Sequence, residues 1–225
     1  KRSYRVYRHV IGQANDPLVY EESDERFSTH VYKSRDRQMI FISAASYTTS
    51  EVRYLPAGQP AEEPRLIAAR EQDHEYVVDH RPGEFWIRTN DKGPNFRLVV
   101  ASEADPSRAN WREVVPLREH VMLEGVDLFR DFHVLQERES GVPQLRMTEH
   151  AGGTTHRIEF PEAAFDAAPE NNPEFDASLY RLAYQSPLTP LSIFDYDPAT
   201  RERTLRKQDP VPGGYDPARY RVELA

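Results

Sequence analysis

The chain has 225 residues, a formal net charge of −8 and no cysteine, with 38% hydrophobic and 29% charged residues. Lack of cysteine excludes disulfides, thiolate metal ligands and a cysteine nucleophile. No apolar run approaches the roughly 18 residues of a membrane-spanning helix, and the N-terminus lacks the apolar core of a signal peptide. The acidic balance disfavours nucleic acid and permits cationic partners. We therefore expect a soluble, cytoplasmic protein with neither a nucleic-acid nor a membrane partner.

Short runs of β-branched and aromatic residues recur along the whole chain, separated by turns rich in Gly, Pro, Asn and Asp. Such runs are typical of β-strands. One strand type repeats at intervals of 46, 46, 47 and 48 residues, and its centres are Val6, Val52, Leu98, Leu145 and Ile193. The preceding strand repeats in the same way, at Phe41, Ile87, Val134 and Leu182.

A repeat of about 46 residues holding four short strands indicates one blade of a β-propeller. We predict an all-β chain whose blades have four antiparallel strands, named a to d from the central tunnel outwards. The predicted units are a half blade at 4–22 and full blades at 28–71, 73–117, 121–161 and 163–208. A β-sandwich is the alternative, but its strands do not keep a constant interval through four repeats.

Charge divides unequally between the two ends of the predicted blades. Because strands a to d alternate in direction, the b–c hairpins and d–a connections share one end, here called the b–c end. The a–b and c–d loops share the other, the a–b end. Formal charge in the predicted loops totals −10 at the b–c end and −2 at the a–b end. An acidic wall raises the local concentration of cationic peptides, although the same charges also favour solubility.

Searches for catalytic motifs are negative. The sequence holds no G-x-S-x-G elbow, phosphate loop or G-x-G-x-x-G. His74 begins a zinc-like motif, but Val78 stands where the second histidine would be. We interpret His74, Asp79 and His80 as hydrogen-bonded residues of an inner strand. The sequence thus predicts no catalytic residue, no metal site and no cofactor.

Carboxylates leave one enzymatic alternative open. A small propeller glycosidase would need acids on separate inner strands, and Glu75, Glu124 and Asp127 can be placed in that way. The pair Glu21 and Glu22 is interpreted as solvated loop charge.

Several segments resemble one known family. They are YRHVIG, LVYEESDERF, SYTTSEVRYL, EYVVDHRPGEFWIRTNDKGPNFRL, LEGVDLFRD, ERESGVPQL, NPEFD, SPLTPLSIFDYD and KQDPVPGGYDPARY. In this order they resemble the propeller domain of the oligopeptidase B branch of the prolyl oligopeptidase family of serine peptidases. The resemblance covers essentially the whole chain.

The resemblance implies a seven-bladed propeller, of which about four and a half blades are present. Residues 209–225 would be the exit segment and hinge toward a C-terminal α/β-hydrolase domain of the same parent chain. That domain would carry the Ser, Asp and His triad beyond Ala225 and cleave short peptides after Arg or Lys. This chain would act as a gating and steering domain, inactive alone, with short basic peptides as further partners.

Four residues are candidates for steering basic peptides: Glu71, Asp73, Glu75 and Glu124. A stand-alone propeller scaffold for protein interactions is the runner-up function, and the glycosidase is a third. Because propeller blades bury their flanks against neighbours, the open flanks of the units at 4–22 and 163–208 are expected to allow self-association.

Overall fold

The computed structural model describes residues 2–223. Residues 224 and 225 of the predicted exit segment lie outside the described part. The chain divides between Leu117 and Arg118 into two compact units. Within the described residues, strands form four four-stranded sheets and one two-stranded sheet, all antiparallel. The predicted all-β class with four-stranded blades is confirmed.

The first unit holds three sheets, with strand orders β1-β2, β3-β4-β5-β6 and β7-β8-β9-β10. Its strands are β1 (Arg5–Tyr7), β2 (Leu18–Glu21), β3 (Ser28–Lys33), β4 (Met39–Ala45), β5 (Ser50–Pro56), β6 (Arg65–Ala68), β7 (Tyr76–Arg81), β8 (Glu84–Thr89), β9 (Arg97–Ser102) and β10 (Arg112–Val115). A 3-10 turn at Arg108–Asn110 precedes β10.

The second unit holds two sheets, with strand orders β11-β12-β13-β14 and β15-β16-β17-β18. Its strands are β11 (Val121–Leu128), β12 (Phe132–Glu139), β13 (Val142–Glu149), β14 (Thr155–Arg157), β15 (Asp166–Pro169), β16 (Tyr180–Gln185), β17 (Ser192–Tyr196) and β18 (Arg203–Gln208). A 3-10 turn follows at Pro217–Arg219. No helix of residues 2–223 has the length and apolar character needed to cross a bilayer.

The repeated apolar centres lie on the middle strands of each sheet, where both faces are covered. Phe41 on β4 and Ile87 on β8 are fully buried in the core of the first unit. Val134 on β12 and Leu182 on β16 are their counterparts in the second. Strands buried on both faces need apolar residues at consecutive positions, which explains why these strands give the clearest repeat in the sequence.

A buried tyrosine joins the two four-stranded sheets of the first unit. The β5–β6 pairing is irregular between Val52 and Arg53, and the irregularity removes ladder partners from nearby backbone groups. The Tyr76 hydroxyl replaces them: it donates to the Ala68 carbonyl oxygen at 2.6 Å and accepts from the Val52 N–H at 2.8 Å and the Ala68 N–H at 3.3 Å. One side chain of β7 therefore satisfies three buried backbone groups of the neighbouring sheet.

In the second unit the carboxylate of Asp127 helps to join the two sheets. Asp127 on β11 is buried and accepts from the Tyr180 hydroxyl at 2.9 Å and from Gln136 Nε2 at 3.1 Å. Gly125 makes room for Gln136, because a Cβ on this glycine would lie 2.8 Å from the Gln136 side chain. Tyr180 comes from β16, so this bond also links neighbouring sheets.

Candidate functional site at the b–c end of the blades

The β6–β7 connection of the first unit carries three of the four predicted steering residues. Asp73 occupies a turn with φ of +63° and is exposed. Its carboxylate accepts from Thr48 Oγ1 at 2.7 Å and from Gln72 Nε2 at 2.9 Å, and these bonds lower the pKa of Asp73. Thr48 belongs to the neighbouring b–c hairpin, so hairpin and connection are joined at the position of this charge.

Glu71 forms an ion pair that the sequence did not predict. Arg108 Nη1 lies 2.6 Å from Glu71 Oε1 and its Nη2 lies 3.6 Å from Asp91 Oδ2. The hydrogen bond from Arg108 lowers the pKa of Glu71. Arg108 belongs to a c–d loop, which the sequence assigned to the a–b end. That assignment is wrong for this side chain, because the loop returns it to the b–c end.

Glu75 differs from Glu71 in having no ion pair within residues 2–223. Its backbone is held on both sides by Asn90: Glu75 N–H donates to Asn90 Oδ1 at 2.8 Å, and Asn90 N–H donates to the Glu75 carbonyl at 3.1 Å. The position of Glu75 is therefore fixed while its partly exposed carboxylate keeps its charge uncompensated.

Glu124 lies on β11 of the second unit. Arg138 on β12 forms a two-point contact with it, from Nε to Oε1 at 2.6 Å and from Nη2 to Oε2 at 3.3 Å. The structure therefore brings Glu71, Asp73 and Glu75 onto one connection and places Glu124 in a separate unit. Of these four candidates, Asp73 and Glu75 have no arginine partner within residues 2–223.

Arginines also neutralise buried acids at this end. Arg70 lies between two carboxylates, with Nη2 2.6 Å from Glu22 Oε2 and Nε 3.4 Å from Glu51 Oε2. Its guanidinium also covers the Phe27 ring at 4.0 Å. Burial raises the pKa of Glu22, but the bond from Arg70 and other donors lower it more. Glu22 is 4% exposed, so the interpretation of this residue as solvated loop charge is wrong.

Two similar clusters follow along the chain. In the first unit Arg97 binds Asp91 through two bonds of 2.8 Å and Glu113 through one of 3.0 Å. In the second unit Glu137, 1% exposed, binds both Arg118 and Arg146. Arg97 and Arg146 lie on strands, outside the loops whose charge the sequence summed, whereas Arg70 and Arg118 lie in those loops and were already counted. The predicted acidity of this end is therefore partly compensated, and the spacing of arginine and acid along single strands gave no signal of pairing.

The inner-strand histidines have structural contacts. His74 precedes β7, and its Nε2 lies 2.8 Å from Thr89 Oγ1. His80 lies at the a–b end of β7, fully buried between Asp36 Oδ2 at 2.7 Å and Glu103 Oε1 at 2.8 Å. Burial lowers the pKa of His80, but these two carboxylates raise it above its ordinary value. Partial burial of the neighbouring Asp79 raises its pKa to about 6.

Two of the three acids considered for the glycosidase alternative form structural contacts instead. Asp127 is buried among its donors, and Glu124 is paired with Arg138. A glycosidase needs one acid that can be protonated and one free carboxylate facing the sugar, and these contacts oppose both roles.

The chain leaves the last sheet at the b–c end. After β18, Asp209 N–H donates to the Leu191 carbonyl at 2.9 Å, and the Tyr215 hydroxyl donates to the Leu188 carbonyl. Leu188 and Leu191 belong to the b–c hairpin of that sheet. The segment from Asp209 to Tyr215 therefore runs beside a b–c hairpin.

The family profile described as "Prolyl oligopeptidase, N-terminal beta-propeller domain" matches residues 1–209. The chain belongs to this propeller family. The dipeptidyl aminopeptidase BI of Pseudoxanthomonas mexicana is 38% identical over 98% of this chain and 31% of its own length. Protease 2 of Moraxella lacunata is 29% identical over 99% of this chain and 32% of its own.

Solved prolyl oligopeptidase structures agree with this assignment. Oligopeptidase B from Leishmania major has a TM-score of 0.89 and 29% identity, covering 99% of this chain and 33% of that one. Oligopeptidase B from Trypanosoma brucei has a TM-score of 0.89 and 28% identity. In these homologues the propeller is joined to a C-terminal catalytic domain of the same chain. This chain spans about a third of the length of its relatives.

Proposed function

We propose that this chain is the gating and substrate-steering propeller of a cytoplasmic serine oligopeptidase that hydrolyses short peptides after Arg or Lys. The catalytic triad would come from a C-terminal α/β-hydrolase domain of the same polypeptide, and the propeller would contribute no reacting group. The observation that carries the steering role is the β6–β7 connection, where Asp73 and Glu75 keep negative charge without an arginine partner.

The surrounding ion pairs sharpen this proposal. Since arginines compensate Glu71 and Glu124, reversing either one also releases a cation and changes local structure. Reversing Asp73 or Glu75 releases no arginine, although reversing Asp73 also removes its neutral bonds from Thr48 and Gln72. Charges of this kind accelerate the encounter with a cationic ligand, and the acceleration weakens as salt shortens the Debye length to about 8 Å near 0.15 M.

The test is a charge reversal in the intact enzyme. The double variant Asp73→Lys and Glu75→Lys should lower kcat/KM for dibasic peptides several-fold at low ionic strength. The loss should shrink as salt is raised, and kcat/KM for uncharged peptides should stay unchanged. Glu63→Lys is the matched control, because Glu63 is an exposed acid in a c–d loop and should leave both substrates unaffected.

Two outcomes would overturn the steering role. An equal loss for charged and uncharged peptides would indicate damage to the fold, and no loss at any salt would show that the connection does not face the substrate path. Product analysis by mass spectrometry tests the specificity separately. Cleavage after Arg or Lys is expected, whereas dipeptide release, as the name of the Pseudoxanthomonas relative denotes, would assign a different specificity.

A further inference from the structure

A groove between the two sheets of the second unit contains none of the proposed steering residues. It has a volume of about 320 Å³ and is lined by His156, Arg157, Glu159, Tyr196, Arg201 and Arg203. These residues come from β14, from the segment after it, and from the end of β17, the β17–β18 loop and the start of β18. That loop is a c–d loop, so the groove opens at the a–b end, where the sequence predicted little net charge.

Among the described residues Arg203 forms no direct ion pair, although the Glu162 carboxylate is near enough to oppose the effect of burial on its pKa. Its guanidinium lies over the Phe160 ring at 5.0 Å and over the Phe194 ring at 5.6 Å. Burial lowers the pKa of Arg203, and within residues 2–223 it forms no ion pair. Half-buried arginines are ordinarily paired, because removing the charge from water is costly. Here the aromatic rings hold the side chain in place while its N–H donors stay available.

His156 also lines the groove, and one of its two ring nitrogens is buried. Its Nε2 lies 2.7 Å from the Tyr196 hydroxyl, and its Nδ1 is buried with no hydrogen-bond partner. If the tyrosine hydroxyl donates to Nε2, Nδ1 carries the proton and is an unsatisfied donor. Buried polar groups are almost always bonded, but Nδ1 is closed to solvent. The donors that an anion in the groove could reach are therefore the guanidinium groups.

The remaining lining residues make the groove net positive. Arg201 forms no ion pair within residues 2–223 and is held in a left-handed turn with φ of +61°. Arg157 contacts Glu139 at 2.5 Å, and Glu159 is the one acid of the lining. Because Arg157 is already paired with Glu139, two guanidinium groups, those of Arg201 and Arg203, remain against the Glu159 carboxylate.

We propose that this groove binds a phosphate-type oxyanion, with Arg201 and Arg203 as its principal donors. Guanidinium groups bind phosphate oxygens through paired, charge-assisted hydrogen bonds. The ligand would be either inorganic phosphate or a small phosphate monoester. This inference does not depend on the proposed peptidase role, because the groove contains none of the steering residues.

The experiment is a titration of the purified protein by isothermal calorimetry with inorganic phosphate, phosphoserine and acetate. Saturable phosphate binding and at least tenfold weaker acetate binding are expected. Tighter binding of phosphoserine than of phosphate would identify a monoester as the ligand, and the reverse would identify the free anion. Absence of saturable binding for both phosphates would overturn the proposal, as would equally tight binding of acetate.

Variants locate the binding. Arg201→Gln and Arg203→Gln should each weaken phosphate binding by about tenfold, the effect of losing a charge-assisted contact. Arg203→Lys should weaken it less, and Glu159→Gln should strengthen it by removing a like charge. Arg219→Gln, at an exposed arginine of the exit segment, is the matched control and should bind normally. Unfolding of Arg203→Gln would be visible by circular dichroism, in which case Arg201→Gln and Glu159→Gln decide. Unchanged affinity in both would place the anion elsewhere and overturn the assignment.

Discussion

The two ends of the blades in the first unit manage buried charge in different ways. At the b–c end, arginines bind carboxylates: Arg70 joins Glu22 and Glu51, and Arg97 joins Asp91. At the a–b end, a histidine takes the place of the arginine, with His80 between Asp36 and Glu103.

The difference lies in the cation. A guanidinium stays charged at every pH at which the protein is folded, whereas an imidazole loses its charge near neutral pH. The b–c end, where we place substrate steering, is therefore held by charges that pH does not alter. The a–b end of this unit is the part whose stability should depend on pH.

The largest expected effect comes from removing the arginine at the b–c end. Arg70→Met leaves Glu22 and Glu51 buried without their shared cation, and breaking a buried ion pair in this way costs about 3–5 kcal/mol. Urea denaturation should show this loss of unfolding free energy at neutral pH. Part of it should be recovered at acidic pH, where protonation removes the charge of buried Glu22, whose pKa Arg70 no longer lowers.

Arg65→Met is the matched control. Arg65 is 62% exposed in its ion pair with Glu62, and exposed pairs contribute less than about 1 kcal/mol. Equal destabilisation by the two variants would contradict the importance of burial in this comparison.

A second variant measures how much the neutral hydrogen bonds between the two four-stranded sheets of the first unit contribute to stability. Tyr76→Phe removes the hydroxyl that satisfies three backbone groups of Val52 and Ala68, and we expect a loss of about 2–3 kcal/mol. The loss should not vary with pH between 5 and 8, because no ionisable group changes its charge. Tyr54→Phe, at a buried tyrosine whose hydroxyl has no bond among the described residues, should cost much less.

The smallest effect and the clearest pH signature belong to His80. Its pKa is raised in the folded state, so its stabilising contribution is fully present below the unfolded pKa of about 6.5. The contribution is lost as pH rises through the raised folded value. The difference in unfolding free energy between the wild type and His80→Gln, about 1–2 kcal/mol at pH 6, should therefore shrink toward pH 8.5.

Charged groups near His80 also titrate and must be common to the two proteins compared. Asp36, Asp79, Glu103 and Arg35 face or adjoin the imidazole, and all four are kept in both proteins, so their own titration cancels to first order. His120→Gln is the control, since His120 is 82% exposed and should leave the pH dependence unchanged. A difference that grows with pH would show that His80 is buried in its neutral form.

The repeat at 46–48 residues predicted strand type, strand order and antiparallel sheets because each blade must bury the same central strands. Phe41, Ile87, Val134 and Leu182 are apolar for a local reason that is visible in the sequence. The outer strands give a weaker repeat in the sequence, because they are largely exposed and tolerate polar residues such as those of β18.

The sequence by itself determined the fold class, the family and the presence of an acidic connection at Glu71, Asp73 and Glu75. Only the tertiary structure decided which of those charges remain uncompensated. Arg108 reaches Glu71 from a loop 37 residues away, and Arg70 reaches Glu22 across 48 residues. Charge can be counted along a chain, but compensation depends on distances between side chains that are remote in sequence. The groove around Arg203 could not be predicted for the same reason. Arg203 and the two aromatic rings that it covers, Phe160 and Phe194, come together only when neighbouring sheets pack.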